Sequence, residues 1–354
     1  MKRSVYLIVF MLIIFFSGAA PYAAGESAPT LYNSYDGAVI GARAIGMGEA
    51  FVAVADNPDA VYWNPAGLAK VQKNSLAVGF NIQTAARKED LNEVLSKDPL
   101  KGGKLLYLSF AGSQGGLSWR PLSNFKRSVY TENLTTNTQS WETKEIRVNA
   151  FLLSLAVPYT DKMDVGFNIN YLSGNLGVSS KSKTGGVWNE PSANVSSGYG
   201  FGVDMGLMYK LTPFMNLGVM MQNLAAYIYW DDYARDKLPF NLRVGTAFKM
   251  TNLLTFAYDF EKRFYPKADG MEVYHLGLEQ LLFKVVAVRV GMYGKEWNDP
   301  KQTTYTYGLG YFKDDYYLDL ALKKNYVNLA AEGALPVYTA DPVYTYLCSV
   351  TIPF

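Results

Sequence analysis

The stretch Phe201-Gly-Val-Asp-Met-Gly-Leu-Met-Tyr209 places an apolar side chain on every second residue, and Gly, Asp, Gly and Met stand between them. A period of two predicts a β-strand with one apolar face and one mostly small or polar face. The same alternation occurs at 76–83 and 165–171. Each of these strands alone would also fit a soluble β-sandwich. The connections between strands are therefore needed to distinguish a sandwich from a membrane barrel.

The connections sort into two classes along the chain. The alternating pattern predicts about 14 strands, and their ends are uncertain by about two to four residues. Long connections of roughly 8 to 25 residues alternate with short ones of roughly 2 to 6, which is the pattern of an outer-membrane barrel. The sequence therefore predicts an all-β fold, a transmembrane antiparallel β-barrel of about 14 strands. The predicted strands are 75–83, 104–111, 115–120, 145–157, 164–173, 199–209, 215–224, 240–248, 253–262, 271–282, 285–293, 304–312, 316–323 and 342–354.

Both ends of the chain fit export to an outer membrane. Lys2 and Arg3 precede an apolar run from Val5 to Phe16 and a series of small residues, which predicts a signal peptide over 1–25. At the other end, apolar side chains alternate up to a carboxy-terminal Phe354. This ending resembles the signal by which the barrel assembly machinery recognises bacterial outer-membrane barrels. The predicted partners are that machinery and outer-membrane lipid.

Composition excludes several classes of function. The formal net charge of +2 on 354 residues supplies no cationic stripe for nucleic acid. Cys348 is the single cysteine, so no internal disulfide is possible. Asp56, Asn57 and Asp59 lack the glycine and terminal glutamate of a calcium loop, and we expect no metal and no cofactor. No local motif places a serine or cysteine as nucleophile, so the pattern does not predict an enzyme.

Charged residues fall on the face that would line the lumen. A tight turn at 250–252 would place Arg243 opposite Asp259, and a turn at Phe283 would place Glu279 opposite Arg289. His275 falls on the same face. Its proximity to Asp259 and Glu279 could suggest acid–base chemistry, but we favour a hydrogen-bonded network inside the lumen.

One predicted strand is apolar on both faces. Ile146, Val148 and Leu152 point into the lumen if the residues that alternate with them face lipid. Met208 and Met220 also point inward on later strands. Beside them, the third predicted strand is short and begins with glycine. These features predict an apolar lumen patch next to a weakened strand, which suits a hydrophobic ligand that leaves sideways into the membrane.

The stretch from Gly41 to Leu68 differs from everything after it. It is rich in small residues, and its steps Asn57-Pro58 and Asn64-Pro65 each offer a capping side chain followed by a proline set for a first helical position. We predict two short helical turns. A barrel of about 14 strands encloses a pore unless something fills it. We therefore predict a hatch over 26–72 that plugs a barrel over 73–354.

The same stretch carries a family resemblance. The sequence from Gly41 to Asp56, followed by Tyr62-Trp-Asn-Pro-Ala-Gly-Leu-Ala69, resembles the amino-terminal motif of the PorV/PorQ and UPF0164 outer-membrane families, relatives of the FadL-type fatty-acid transporters. The resemblance implies a 14-stranded barrel with an inward-folded hatch that contains an Asn-Pro-Ala kink. The motif residues are Gly41, Arg43, Gly46, Gly48, Asp56, Asn64, Pro65, Ala66 and Gly67.

Two functions of different classes follow from these observations. The first is passive uptake of hydrophobic small molecules, of long-chain fatty acid or hydrocarbon type, past the hatch. The second is a PorV-like role in type IX protein secretion, in which the barrel binds exported proteins. A purely structural barrel is a third reading. The apolar inward face favours uptake, and the motif favours the PorV side.

Overall fold

A computed structural model describes residues 39–83, 104–133, 135, 137–266, 269–313, 316–327 and 338–354. The predicted signal peptide and the first part of the predicted hatch lie outside these residues. Within the described ranges, no helix is both long enough and apolar enough to cross a membrane.

The chain from residue 75 onward is built of antiparallel strands. In chain order they are β1 Ser75–Gln83, β2 Lys104–Gly112, β3 Gly115–Asn133, β4 Thr138–Pro158, β5 Met163–Thr184, β6 Val187–Trp188, β7 Ser192–Thr212, β8 Met215–Trp230, β9 Asp236–Lys237, β10 Phe240–Lys249, β11 Leu254–Phe264, β12 Met271–Leu282, β13 Val286–Gly294, β14 Thr303–Lys313, β15 Tyr316–Asn325 and β16 Val343–Pro353.

The sheet closes on itself. β1 pairs with β16, and β8 pairs with β10, so all strands except the two-residue β6 and β9 form one ring. This confirms the predicted 14-stranded antiparallel barrel. Alternation sets the two faces: on β4, Leu153 and Leu155 are 47% and 42% exposed, whereas Ser154 and Ala156 are buried against the interior. The exposed leucines form part of the outer, lipid-facing surface.

Four strands extend beyond the barrel proper. β3, β4, β5 and β7 have 19 to 22 residues, whereas a membrane crossing needs about 9 to 11. Much of 121–144 and 174–198 was predicted as long loops and is strand instead. These segments are rich in Ser, Thr, Lys and Glu and stand in water, so they lack the one-sided apolar alternation that marks a half-buried strand.

One predicted register is wrong by two residues. Arg243 lies opposite Glu261, and Asp259 lies opposite Gly245. The innermost pair is Lys249 with Thr255, so five residues lie between the paired strands rather than three, and the pairing shifts by two while each residue keeps its face. The neighbouring prediction is correct, because Glu279 lies opposite Arg289.

Residues 39–72, the luminal segment, precede the first strand. They contain the helices Ala42–Gly46 and Ala60–Trp63 and the 3₁₀ helix Pro65–Lys70. Asn64 caps the last of these as predicted, since its side-chain oxygen accepts from Ala66 N. Asn57 does not cap a helix; its amide donates to the carboxylate of Asp59 instead.

Candidate functional site: the lumen and its wall

The luminal segment fills the barrel interior. Phe51, Val61, Trp63 and Leu68 are at most 1% exposed, and the helix Ala42–Gly46 contacts β13 to β16 while the 3₁₀ helix contacts β3, β4, β5 and β7. The segment therefore touches opposite parts of the wall. Its last turn reaches the end with short connections, where Gln114 N donates to the carbonyl of Leu68.

Arg43 anchors the first helix to the wall. Its Nε and Nη2 atoms donate to the two carboxylate oxygens of Glu279 at 2.8 and 2.9 Å, and Nη1 donates to Asp56 at 2.6 Å. Glu279 also accepts from Arg289, which reaches Asp319 on the neighbouring strand. Four of these five groups are at most 16% exposed. A buried carboxylate held by two guanidinium groups is well compensated for its loss of water.

A second network holds the next part of the segment. Arg243 pairs with Glu261 at 2.5 Å and donates to the carbonyl of Glu49 at 3.2 Å. His275 lies between Glu261, 3.0 Å from Nε2, and the Gly48 carbonyl, 3.0 Å from Nδ1. The structure thus gives His275 hydrogen bonds to neither Asp259 nor Glu279, the two carboxylates named from sequence. Glu261 thus contacts both His275 and Arg243.

Asp259 has a different task. Its carboxylate accepts from the backbone N–H groups of Phe51 and Val52 at 2.8 and 3.0 Å. Because it is fully buried, these two donors supply part of the polar contact that water would otherwise make. Asp259 therefore binds the luminal segment rather than a neighbouring arginine.

Glycines on the wall let the segment approach closely. Gly277 and Gly291 are paired on β12 and β13, and a side chain on either would collide with the backbone of Met47 or Gly48. Gly48 itself has a φ of +65°, a conformation that favours glycine. This contact puts the motif's Gly48 against the wall rather than in a ligand loop.

Asn64 fixes the kink. Its side-chain amide donates to the carbonyls of Val52 and Leu207, both at 2.9 Å, and its oxygen accepts from Ala66 N at 3.2 Å. Pro65 and Ala66 lie against Gly166 on β5. The motif's Gly67 lies against the Ala55 carbonyl, and Gly46 lies against Gly308. The motif residues named from sequence thus all lie in contacts within the segment or between it and the wall.

Four of the five residues of the predicted apolar patch, all but Met220, lie in one buried cluster with residues of the luminal segment. Ile146, Val148 and Leu152 are buried on the inner face of β4, in one cluster with residues of β5 and β8. Met208 lies beside Lys70 of the luminal segment, whose pKa is lowered by burial. Met220 lies opposite Arg243. Of the five, Leu152 lines the inner cavity described below, and the ligand-binding role of the set stays a prediction.

Above the luminal segment the lumen opens into a cavity of about 640 Å³, here called the vestibule. Its walls include Lys295, Lys301 and Tyr338, which lie in long connections, and so it faces the long-loop side of the barrel. Val39 and Ile45 of the segment form part of its lining, together with Lys323. The vestibule combines apolar and cationic groups and has room for a small organic molecule.

A smaller cavity of about 60 Å³, the inner cavity, adjoins the vestibule and shares Val39 and Arg263 with it. Its apolar lining comes from leucines and an alanine of β3 to β5, and its polar lining from several amides, a carboxylate and two arginines. The remaining residues are Tyr62, Arg120, Leu122, Ala150, Leu152, Asn170, Leu172, Asp204, Gln222, Asn223, Pro239 and Asn241. Sequence reasoning predicted only Ala150 and Leu152 of these residues to belong to an apolar inner face.

The wall beside the inner cavity is split. β2 and β3 pair only from Leu108–Trp119 to Gly112–Gly115, although β2 continues to Lys104 and β3 to Asn133. Beyond that point, among the described residues, β3 pairs with β4 alone, and its ladder is interrupted by a bulge between Pro121 and Ser123. Proline has no N–H to donate to a neighbouring strand, which suits it to an unpaired edge. This interruption, the split, begins partway along β3.

Within the described residues, no group of three or more His, Cys, Asp or Glu side chains could hold a metal ion.

Comparison with known proteins gives matches among solved structures. No protein-family model and no curated protein matches the chain. The toluene transporter TbuX of Ralstonia pickettii superposes with a TM-score of 0.59 at 14% identity, covering 92% of this chain and all of that one. The monoaromatic hydrocarbon channel CymD gives 0.59 at 16% identity, covering 92% and 98%. A Pseudomonas aeruginosa FadL homologue gives 0.58 at 13% identity, covering 94% and 100%.

These similarities extend over nearly the full length of each partner, so the chain has the fold of FadL-type barrels. At such low identity they show the fold alone. No match supports the PorV/PorQ and UPF0164 resemblance in particular.

Proposed function

We propose that this chain is an outer-membrane channel for passive uptake of hydrophobic small molecules, and that the ligand leaves sideways through the split into the membrane. The luminal segment acts as the hatch in this account. The observation that carries the proposal is the position of the split beside the inner cavity. The straight route to the short-turn side is blocked, since Pro65, Ala66 and Leu68 are fully or almost fully buried there.

The proposed route has three steps. A ligand enters the vestibule from the long-loop side, passes Val39 and Arg263 into the inner cavity, and leaves between β2 and β3. Leaving sideways keeps an apolar ligand out of water on the far side, because the lipid takes up its apolar surface directly. TbuX and CymD are a toluene transporter and a monoaromatic hydrocarbon channel, which supports a hydrophobic ligand class for this fold.

The test closes the split. Deleting Leu122 and replacing Pro121 with Val removes the bulge and restores the N–H at residue 121, so β3 can pair with β2 over a longer stretch. Cells that express the variant should take up a radiolabelled n-alkane no faster than cells with an empty vector. The control is Leu153→Val on the lipid face of β4, which should transport at the wild-type rate. Undiminished uptake by an assembled deletion variant would overturn sideways exit.

A PorV-like secretion role is the second candidate. The observation that favours it is the extension of β3, β4, β5 and β7 beyond the length that a membrane requires, which offers a rim to an exported protein. Deleting residues 127–143 and joining the strands by a short turn should abolish such binding and leave small-molecule uptake intact.

A further inference from the structure

Two buried carbonyl oxygens belong to side chains that line the inner cavity. Asn170 is 6% exposed, and the Oδ1 atoms of both Asn170 and Asn241 are buried and accept no hydrogen bond from any described residue. Buried acceptors without a partner are rare in folded proteins, because each gives up its bond to water without a replacement. Their presence at a cavity points to a ligand that donates.

The orientation of both amides is fixed by carboxylates. Asn170 Nδ2 donates to Asp204 at 2.9 Å, and Asn241 Nδ2 donates to Glu261 at 2.9 Å and to Gln222 at 3.0 Å. An ionised carboxylate only accepts, so the atom beside it must be the nitrogen. The remaining atom of each amide is therefore the carbonyl oxygen, and turning the amide over would place two acceptors in contact.

Size and lining limit what enters. A single water needs about 10 to 15 Å³ on this kind of measure, and an engineered cavity of about 150 Å³ admits benzene. At about 60 Å³, the inner cavity holds a hydroxyl group and the first methylenes of a chain but not an aromatic ring. Leu122, Leu152 and Leu172 supply the apolar surface that those methylenes would contact.

The charges favour a neutral end group over an anion. Asp204 is 3% exposed and accepts from Asn168, Asn170 and the backbone of Asn223, so a carboxylate already occupies this side. Arg263 is engaged by Glu261 at 2.5 Å, and the guanidinium of Arg120 lies 4.5 Å from the centre of the Tyr62 ring. A carboxylate at the end of a ligand would face the two amide oxygens, which only accept hydrogen bonds, and it has no hydrogen to donate to them.

We infer that the inner cavity recognises the hydroxyl end of a long-chain aliphatic alcohol, whose single O–H donates to the Oδ1 atom of either Asn170 or Asn241. The inference rests on the proposed uptake function and names its substrate class. The alcohol enters hydroxyl first, and the accepting Oδ1 atom replaces the water that solvated its O–H.

The experiment compares three probes of equal chain length in cells that express the full chain: radiolabelled 1-dodecanol, dodecyl methyl ether and dodecanoate, each presented on albumin. Only the alcohol is a neutral donor. One hydrogen bond to a buried acceptor corresponds to about a tenfold preference, so dodecanol uptake should exceed ether uptake by about tenfold. Equal uptake of alcohol and ether, or a preference for dodecanoate, would overturn the inference and leave the uptake function standing. Failure of all three probes to exceed the empty vector would overturn both.

Substitutions locate the preference. Because one O–H needs one acceptor, the double variant Asn170→Leu/Asn241→Leu should bring dodecanol uptake down to the level of the ether and leave ether uptake unchanged. Asn175→Leu on the outer face of β5 is the matched control and should keep the wild-type preference. If the double variant assembles and still prefers the alcohol by about tenfold, the assignment of the two acceptors is wrong. If a variant fails to assemble, the wild-type comparison decides alone.

Discussion

At the scale of single residues, the lumen is a set of buried charges that connect the luminal segment to the wall. The sequence predicted which residues face inward, because an inward position recurs at every second residue and charges are excluded from lipid. It also predicted that Glu279 lies opposite Arg289, but it did not predict the partner of Arg243. Arg243 contacts Glu261 rather than Asp259, since two extra residues between the paired strands move every partner on that hairpin. Glu49 and Asn241 gave no local signal. Glu49 lies near Arg243, far along the chain. Asn241 donates to Gln222 and Glu261 of the two neighbouring strands.

Asp59 provides a pH-dependent prediction at this scale. It is 2% exposed in the luminal segment, and burial raises its pKa to about 6. A hydrogen bond from Asn57 opposes this rise, because it favours the charged carboxylate. Tyr107 of β2, Asp319 of β15 and Arg43 are the titratable or charged groups that act on it. A raised carboxyl pKa means that docking of the segment is favoured while Asp59 is neutral. That stabilisation is complete below about pH 3.8 and is lost as the pH rises to about 6.

The measurement is the labelling rate of a cysteine introduced at the fully buried Ala44, in a Cys348→Ser background. The same cysteine is also placed in a chain that carries Asp59→Asn. The ratio of the rate in the chain with Asp59 to the rate in the Asp59→Asn chain cancels the pH dependence of the reagent. We expect this ratio to rise by about tenfold between pH 5 and pH 7, which corresponds to about one pKa unit of linkage. A flat ratio would show that Asp59 does not couple docking to pH.

At the scale of elements, the kink at Asn64-Pro65 should hold the luminal segment in place without being needed to build the barrel. Replacing both residues with Ala removes the three side-chain hydrogen bonds of Asn64, a loss of about 2 to 3 kcal/mol. The barrel should assemble, as judged by its resistance to heat in detergent, and ion conductance through it should increase.

The chain offers a matched control in Asn57-Pro58. Asn57 makes a single side-chain hydrogen bond within the segment, so the same replacement there should change conductance much less. If the Asn64-Pro65 variant fails to assemble while the control assembles, the kink is a folding element and its role as a gate is wrong.

The elements also show where sequence reasoning stops. All 14 barrel strands could be predicted from alternation, because one face meets lipid and the other meets the lumen. The outer parts of β3, β4, β5 and β7 could not, since both of their faces stand in water and carry similar polar residues. The third strand was predicted to be weak because it is short and begins with glycine. In the structure, its pairing is interrupted instead at Pro121 and the bulge beside it.

At the scale of the whole molecule, the barrel combines a filled lumen with an interrupted wall. The segment closes the direct path, two adjoining cavities lead toward the interruption, and the wall is otherwise a continuous ring of paired strands. The candidate cavity residues were missed from sequence because they come from the segment and from strands β3, β5, β7, β8, β10 and β11. Only closure of the barrel brings them together.

Photo-cross-linking tests sideways exit most directly. An alkyl diazirine carried on a long-chain alcohol is added to outer-membrane vesicles that contain the wild-type chain, illuminated, and the adducts are mapped by mass spectrometry. The account predicts adducts at 120–123 of β3 and at 105–107 of β2, on both sides of the split. Adducts at 65–70 and in the short turns at 159–162, with none at the bulge, would show a straight path through the barrel and contradict the account.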